Sequence, residues 1–93
     1  MYLQKINLKN KFALVTGAGK GLGRACAIAL AEAGATIIAV SRTKSDLDRL
    51  EKSIKKIKGK TIKIQCDVMD FKQLKNELDK IKTIDILVNN AGT

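Results

Sequence analysis

The chain has 93 residues, enough for one small domain and too few for two. Hydrophobic residues make up 45% of it, which excludes a disordered chain, although a domain this short buries little surface and is expected to be marginal if it stands alone. The formal charge is +9, but the lysines are spread along the whole chain and the three aromatics (Tyr2, Phe12, Phe71) form no stacking platform, so the charge reads as a solvated basic surface and not as a nucleic-acid interface.

The amino terminus, MYLQKINLKNKF, lacks the long apolar core of a signal peptide, and no stretch approaches a membrane span. Cys26 and Cys66 form no C-x-x-C pair, and no histidine is present to complete a zinc site. Both cysteines are expected to behave as small core residues in a reduced, cytoplasmic setting, with neither a metal nor a membrane as partner.

Phe12 to Thr16 (FALVT) is a short apolar run and predicts a buried strand. A glycine-rich loop follows at once. Leu22, Cys26, Ala29, Leu30 and Ala33 then recur at helical spacing, with Gly34 as the stop signal. Thr36 to Ser41 (TIIAVS) predicts a second buried strand. Ser45 with Asp48 has the spacing of a capping box, and Leu47, Leu50, Ile54 and Ile57 line one face of the helix it opens. Lys55, Lys56 and Lys58 complement the dipole of the last turn, and Gly59 is expected to end it. Ile62, Ile64 and Cys66 alternate as a strand; Asp70 caps a third helix carrying Leu74, Leu78 and Ile81; Ile84 to Asn89 predicts a fourth strand.

The order β-α-β-α-β-α-β predicts an α/β fold, a parallel sheet with helices on both faces. Right-handed crossovers favour strand order 3-2-1-4, the first half of a doubly wound sheet. The chain stops at Thr93, where the fourth strand has just finished, leaving the outer edge of that strand uncovered. The expectation is therefore a single truncated domain over residues 1–93.

Residues 16 to 23 read TGAGKGLG. Gly17 permits a sharp turn after the strand, Gly21 leaves no side chain between backbone and a pyrophosphate, and Gly23 allows the helix to pack closely on the strand. Backbone N–H groups at the helix start favour a bound phosphate. A tight strand-to-helix turn with no ligand is the alternative for such a loop met alone. Its place after a buried strand and before a helix is the context that a dinucleotide site requires.

With its T-G-x-x-x-G-x-G spacing the chain resembles the short-chain dehydrogenase/reductase family, whose NAD(P)-binding domain is a Rossmann fold. The resemblance extends to Asp67-Val68 after the third strand and to Asn89-Asn90-Ala91-Gly92 at the end of the fourth, and spans about Leu8 to Gly92. It implies an oxidoreductase whose cofactor lies along Gly17, Ala18, Gly19, Lys20, Gly21, Leu22 and Gly23, with Asp67 and Val68 near the adenine. It further implies Asn90, Ala91 and Gly92 on the ribose side and Asn89 as a brace of the sheet. Taken singly, Asn89 and Asn90 also read as turn residues.

An Asp or Glu after the second strand would accept a hydrogen bond from a ribose 2′-hydroxyl and repel a 2′-phosphate. Here Ser41-Arg42-Thr43 stands instead, and Arg42 with Lys20 suits a phosphate, as in the NADP-preferring carbonyl reductases that the chain looks like. The competing account makes Lys20 and Arg42 two more cations of a lysine-rich chain. NADP is the expected cofactor, ahead of NAD.

Family members carry out hydride transfer with a Ser, a further Asn and a Tyr-x-x-x-Lys pair. The single tyrosine here is Tyr2, followed four positions later by Ile6, so no catalytic residue carries over. The resemblance thus implies the cofactor-holding part of an enzyme acting on a small carbonyl or alcohol in its full-length form, with no turnover by these residues alone. The alternative is an inactive dinucleotide-binding module completed by another chain.

Overall fold

A computed structural model describes residues 7–81 and 83–90. In chain order it contains β1 (Phe12–Thr16), α1 (Gly21–Glu32), β2 (Thr36–Ser41), α2 (Lys44–Lys56), β3 (Thr61–Gln65), α3 (Phe71–Leu78) and β4 (Ile86–Val88). The strands form one sheet in the order β3-β2-β1-β4, and every pairing is parallel. This is the Rossmann-type α/β arrangement expected from the alternation of elements. No helix among the described residues is long and apolar enough to cross a membrane.

Successive strand residues point to opposite faces of a sheet, so β1 and β2 supply two cores. Ala13, Val15, Ile37 and Ala39 meet Ala27 and Ala31 of α1 and Leu47, Leu50 and Ile54 of α2 on one face. Leu14, Ile38 and Val40 join Ile64 and Cys66 on the other, where Leu74 and Leu78 of α3 lie against them. The two faces are unequal. Helix α3 buries none of its residues, and Leu87, paired with Leu14 across the sheet, is 63% exposed.

Local signals placed most elements correctly, and the departures have identifiable causes. The buried stripe of α1 is Gly23, Ala27 and Ala31, while Leu22 is 69% exposed instead of packed. Small side chains let the helix approach the sheet, which turns the larger Leu22 and Cys26 off the contact line. Helix α2 begins at Lys44 with Thr43 at its N-cap and no side-chain cap, so Ser45 and Asp48 form no capping box. Asp48 instead accepts a hydrogen bond from Lys63 Nζ at 2.9 Å.

The end of α2 differs as well. Lys58, not Gly59, takes the left-handed conformation (φ 63°), and it lies beyond the last helical turn. The Gly59 N–H donates to the Ile54 carbonyl at 2.9 Å and the Lys58 N–H to that of Lys55 at 2.9 Å, a Schellman closure. A Cβ on Gly59 would stand 2.6 Å from Ile54 Cγ2, so this glycine serves close packing and not a special φ. Ile57, expected on the apolar face, follows the last helical residue and is 42% exposed. Gly34, with φ 108°, closes α1 as predicted.

Ile64 of β3 and Cys66 just after it are buried, but Ile62 is 37% exposed on this edge strand. Asp70 caps α3, accepting from the Gln73 N–H at 3.1 Å. Strand β4 is shorter than the predicted Ile84–Asn89. Ahead of it, Asp85 Oδ2 accepts from the Phe12 N–H at 2.8 Å, taking the place of a ladder bond at the entry to the sheet.

Candidate functional site

Parallel strands end on the same side of a sheet, and the four loops leaving β1, β2, β3 and β4 meet there. They enclose a cavity of about 510 Å³. Gly17, Gly19 and Lys20 line it from the first loop, Ser41 and Arg42 from the second, Asp67 and Val68 from the third, and Asn90 from the fourth. These residues are separated by up to 73 positions in sequence and come together only because the strands are parallel.

The glycine loop is held from behind. The Ala18 N–H donates to the Val40 carbonyl at 3.2 Å, and Ala18 is fully buried and absent from the cavity lining, so it anchors the loop to β2 instead of facing the cavity as expected. Gly17 (φ 62°) and Gly21 (φ 54°) both take the left-handed conformation. A Cβ on Gly21 would meet nothing within 4 Å, so the outer side of the loop is open space. A Cβ on Gly23, by contrast, would stand 2.1 Å from the Gly17 carbonyl oxygen and 2.9 Å from Asn90 Nδ2. Lys20 is the N-cap of α1 and makes no side-chain cap, and no acidic residue occupies the first turn. Such a helix start is suited to an anion.

Thr16 ties the end of β1 to the segment that leaves β4. Its hydroxyl accepts from the Asn90 N–H at 3.0 Å and donates to Asn89 Oδ1 at 3.1 Å. Asn89 is thereby placed at the sheet end and Asn90 against Gly23. Arg24 Nη2 donates to Ser53 Oγ at 2.8 Å, fastening α1 to α2 behind the loop.

In the second loop, Ser41 Oγ accepts from the Thr43 N–H at 3.2 Å, which leaves its own proton to donate. The Arg42 carbonyl accepts from Gln65 Nε2 at 3.3 Å while its side chain is exposed. In the third, Asp67 Oδ1 accepts from the Met69 N–H at 2.9 Å and shapes the turn. Burial pushes the Cys66 thiol above its ordinary range, with the nearby carboxylates of Asp70, Asp67 and Glu77 adding to the shift. Cys66 forms a buried part of the cavity wall, and its thiol donates to the Asp67 carbonyl at 3.2 Å.

Gly21 and the exposed Leu22 stand beside the cavity and not in its lining, Gly23 lies beneath the loop, and Ala91 and Gly92 fall outside the described residues. Thr43, Asp46 and Met69 line the cavity without having been singled out from sequence. Asp46 had a legible signal. It stands four residues before Leu50 and eight before Ile54, so it is an acid on the apolar stripe of α2.

The short chain dehydrogenase family model matches residues 11–93. L-xylulose reductase of Mus musculus is 41% identical over 87 residues, covering 94% of this chain and 34% of the reductase. Among solved structures, a 3-oxoacyl (acyl-carrier-protein) reductase from Agrobacterium tumefaciens with NADP bound superposes with a TM-score of 0.85 at 31% identity, covering 100% of this chain and 38% of that one. Carveol dehydrogenase from Mycobacterium avium, in complex with NAD, gives 0.82 at 28% identity over 96% of this chain and 38% of its own. The chain spans little more than a third of the length of each of these proteins. With the glycine loop, the strand order and a family match over nearly all of its length in agreement, this chain belongs to the short-chain dehydrogenase family.

Proposed function

We propose that these residues are the cofactor-holding part of a nicotinamide-dinucleotide oxidoreductase and that they favour NADP. The observation that carries this reading is the joining of Gly17, Gly19 and Lys20 to Ser41 and Arg42 around one cavity. The open space outside Gly21 suits a pyrophosphate lying against backbone, and the start of α1 offers N–H groups to it. Lys20 and Arg42 supply cations where an adenosine ribose 2′-phosphate would lie, and Ser41 supplies a hydroxyl donor. Val68 and Asp67 border the adenine side, and Asn90 the ribose side, of the same cavity. The relatives' structures with NAD and with NADP support a nicotinamide dinucleotide in general; the preference rests on Lys20 and Arg42.

When bound, the dinucleotide supplies hydride transfer to or from a carbonyl or alcohol carbon. The residues described here bind and orient it. Donation of the proton belongs to a Tyr-x-x-x-Lys pair that this sequence does not contain.

Titration of the chain with NADP and with NAD, followed by calorimetry, tests the reading. NADP is expected to bind at least several-fold more tightly, and Arg42→Asp to reverse the order by removing a cation and adding an anion. Equal or tighter binding of NAD by the unaltered chain would overturn the preference.

A further inference from the structure

Among the described residues Asp46 is the sole buried acid, 3% exposed at the first turn of α2. One carboxylate oxygen, Oδ1, is held by the guanidinium of Arg49 one turn along the helix. The other faces the glycine loop, since a Cβ on Gly19 would stand 2.6 Å from Asp46 Cβ and 3.1 Å from Oδ2. Asp46 lines the cavity, whereas Arg49, with its side chain 68% exposed, stands outside that lining. The charged lining is thus Lys20 and Arg42 on one side of the balance and Asp46 and Asp67 on the other.

This arrangement places an anion in the cavity read above as a phosphate site. A buried carboxylate repels a dianionic 2′-phosphate and is indifferent to, or accepts from, a 2′-hydroxyl. We infer that Arg49 is a specificity-determining residue acting through Asp46. It cancels the carboxylate's charge from the solvent side without entering the cavity, and so permits the two cations to act on the phosphate. The start of α2 assists, because the helix dipole favours an anion in its first turn. Gly19 completes the device: a side chain there would crowd Asp46 at its Cβ, so the absence of one lets the carboxylate lie against the loop. The inference rests on the dinucleotide reading of the cavity, but its test does not require NADP to be the preferred cofactor.

The test compares Kd for NADP with Kd for NAD in the full chain and in Arg49→Gln, a change that keeps a good helix former and removes the charge. The ratio is expected to move about tenfold toward NAD, a size set by one uncompensated charge acting on a phosphate at short range. Asp46→Asn in the Arg49→Gln background should return the ratio to its starting value, and Arg49→Lys should leave it there. Should Arg49→Gln prove unfolded, Asp46→Asn alone must move the ratio toward NADP. A purely structural role would weaken both dinucleotides alike, and an unchanged ratio in Arg49→Gln, or in the fallback variant, overturns the inference. Tighter NAD binding by the unaltered chain would remove the NADP preference and leave this comparison of ratios standing. Failure to bind either dinucleotide would remove both.

Discussion

Replacing Gly23 by alanine sets two effects of opposite sign against each other. Gly23 is in α1, and alanine in a helix interior is better than glycine by about 1 kcal/mol. Its new Cβ, however, would stand 2.1 Å from the Gly17 carbonyl oxygen, more than 1 Å inside ordinary carbon–oxygen contact, and 2.9 Å from Asn90 Nδ2. The obstacle is backbone, so no rotamer change relieves it. Gly17 is itself held at φ 62°, and Asn90 is bonded to Thr16, so the loop has little freedom to withdraw. Forcing a methyl group into such a contact costs roughly 3 kcal/mol or more, and the net loss is then about 2 kcal/mol. With a urea dependence of about 1 to 3 kcal/mol per molar, the midpoint should fall by roughly 1 M or more, followed by circular dichroism. Gly21→Ala is the matched control. Its Cβ would meet nothing, and its left-handed backbone (φ 54°) limits the loss to about 1 kcal/mol, while the methyl group would stand on the open side of the loop and weaken dinucleotide binding. A Gly23→Ala midpoint equal to or above that of the unaltered chain would refute the packing argument and leave helix propensity as the controlling effect.

Asp70→Ala removes the hydrogen bond to the Gln73 N–H and should destabilise α3 by about 1 kcal/mol. Since α3 buries none of its residues, the loss should show as faster amide exchange confined to that helix and little change in the global midpoint. For Asp48 and Lys63, the hydrogen bond between them holds the Asp48 carboxyl below its ordinary 3.8, and bonds to Asp48 and Glu51 hold the Lys63 ammonium above its ordinary 10.5. The contribution of Asp48 is therefore complete above pH 3.8 and lost as pH falls through its lowered value; that of Lys63 is complete below pH 10.5 and lost as pH rises through its raised value. An NMR titration of the Asp48 carboxyl should show its midpoint return upward in Lys63→Ala, and a midpoint unmoved by that change would show the pair to be without effect in solution.

Features that depend on a few neighbouring residues were decided by sequence. Alternating apolar runs and helical spacings specified four strands and three helices, and the parallel order 3-2-1-4 followed from the rules of connection. Gly34 and Asp70 act as the stop and cap their types imply, because a positive φ and a side-chain acceptor are local requirements. The glycine loop was legible for the same reason: turn, close approach and helix start all lie within residues 16 to 23. Helix faces were less secure. A shift of one residue rotates a helical stripe by about 100°, and on α1 the small residues Gly23, Ala27 and Ala31 won the contact from Leu22. The start of α2 likewise moved to Lys44, leaving the Ser45–Asp48 pattern without a role as a cap.

Tertiary structure alone decided what surrounds the cavity. Thr16 meets Asn89 and Asn90 across more than 70 positions, and Asp85 meets Phe12 across 73, contacts that no local pattern encodes. Lys20 and Arg42 were legible as cations from residue type alone, but that Asp46 lines the same cavity was not. Its sequence position on an apolar stripe hinted at burial; its place against Gly19 is set by how closely α2 packs beside the loop, and that is a property of the assembled sheet and helices.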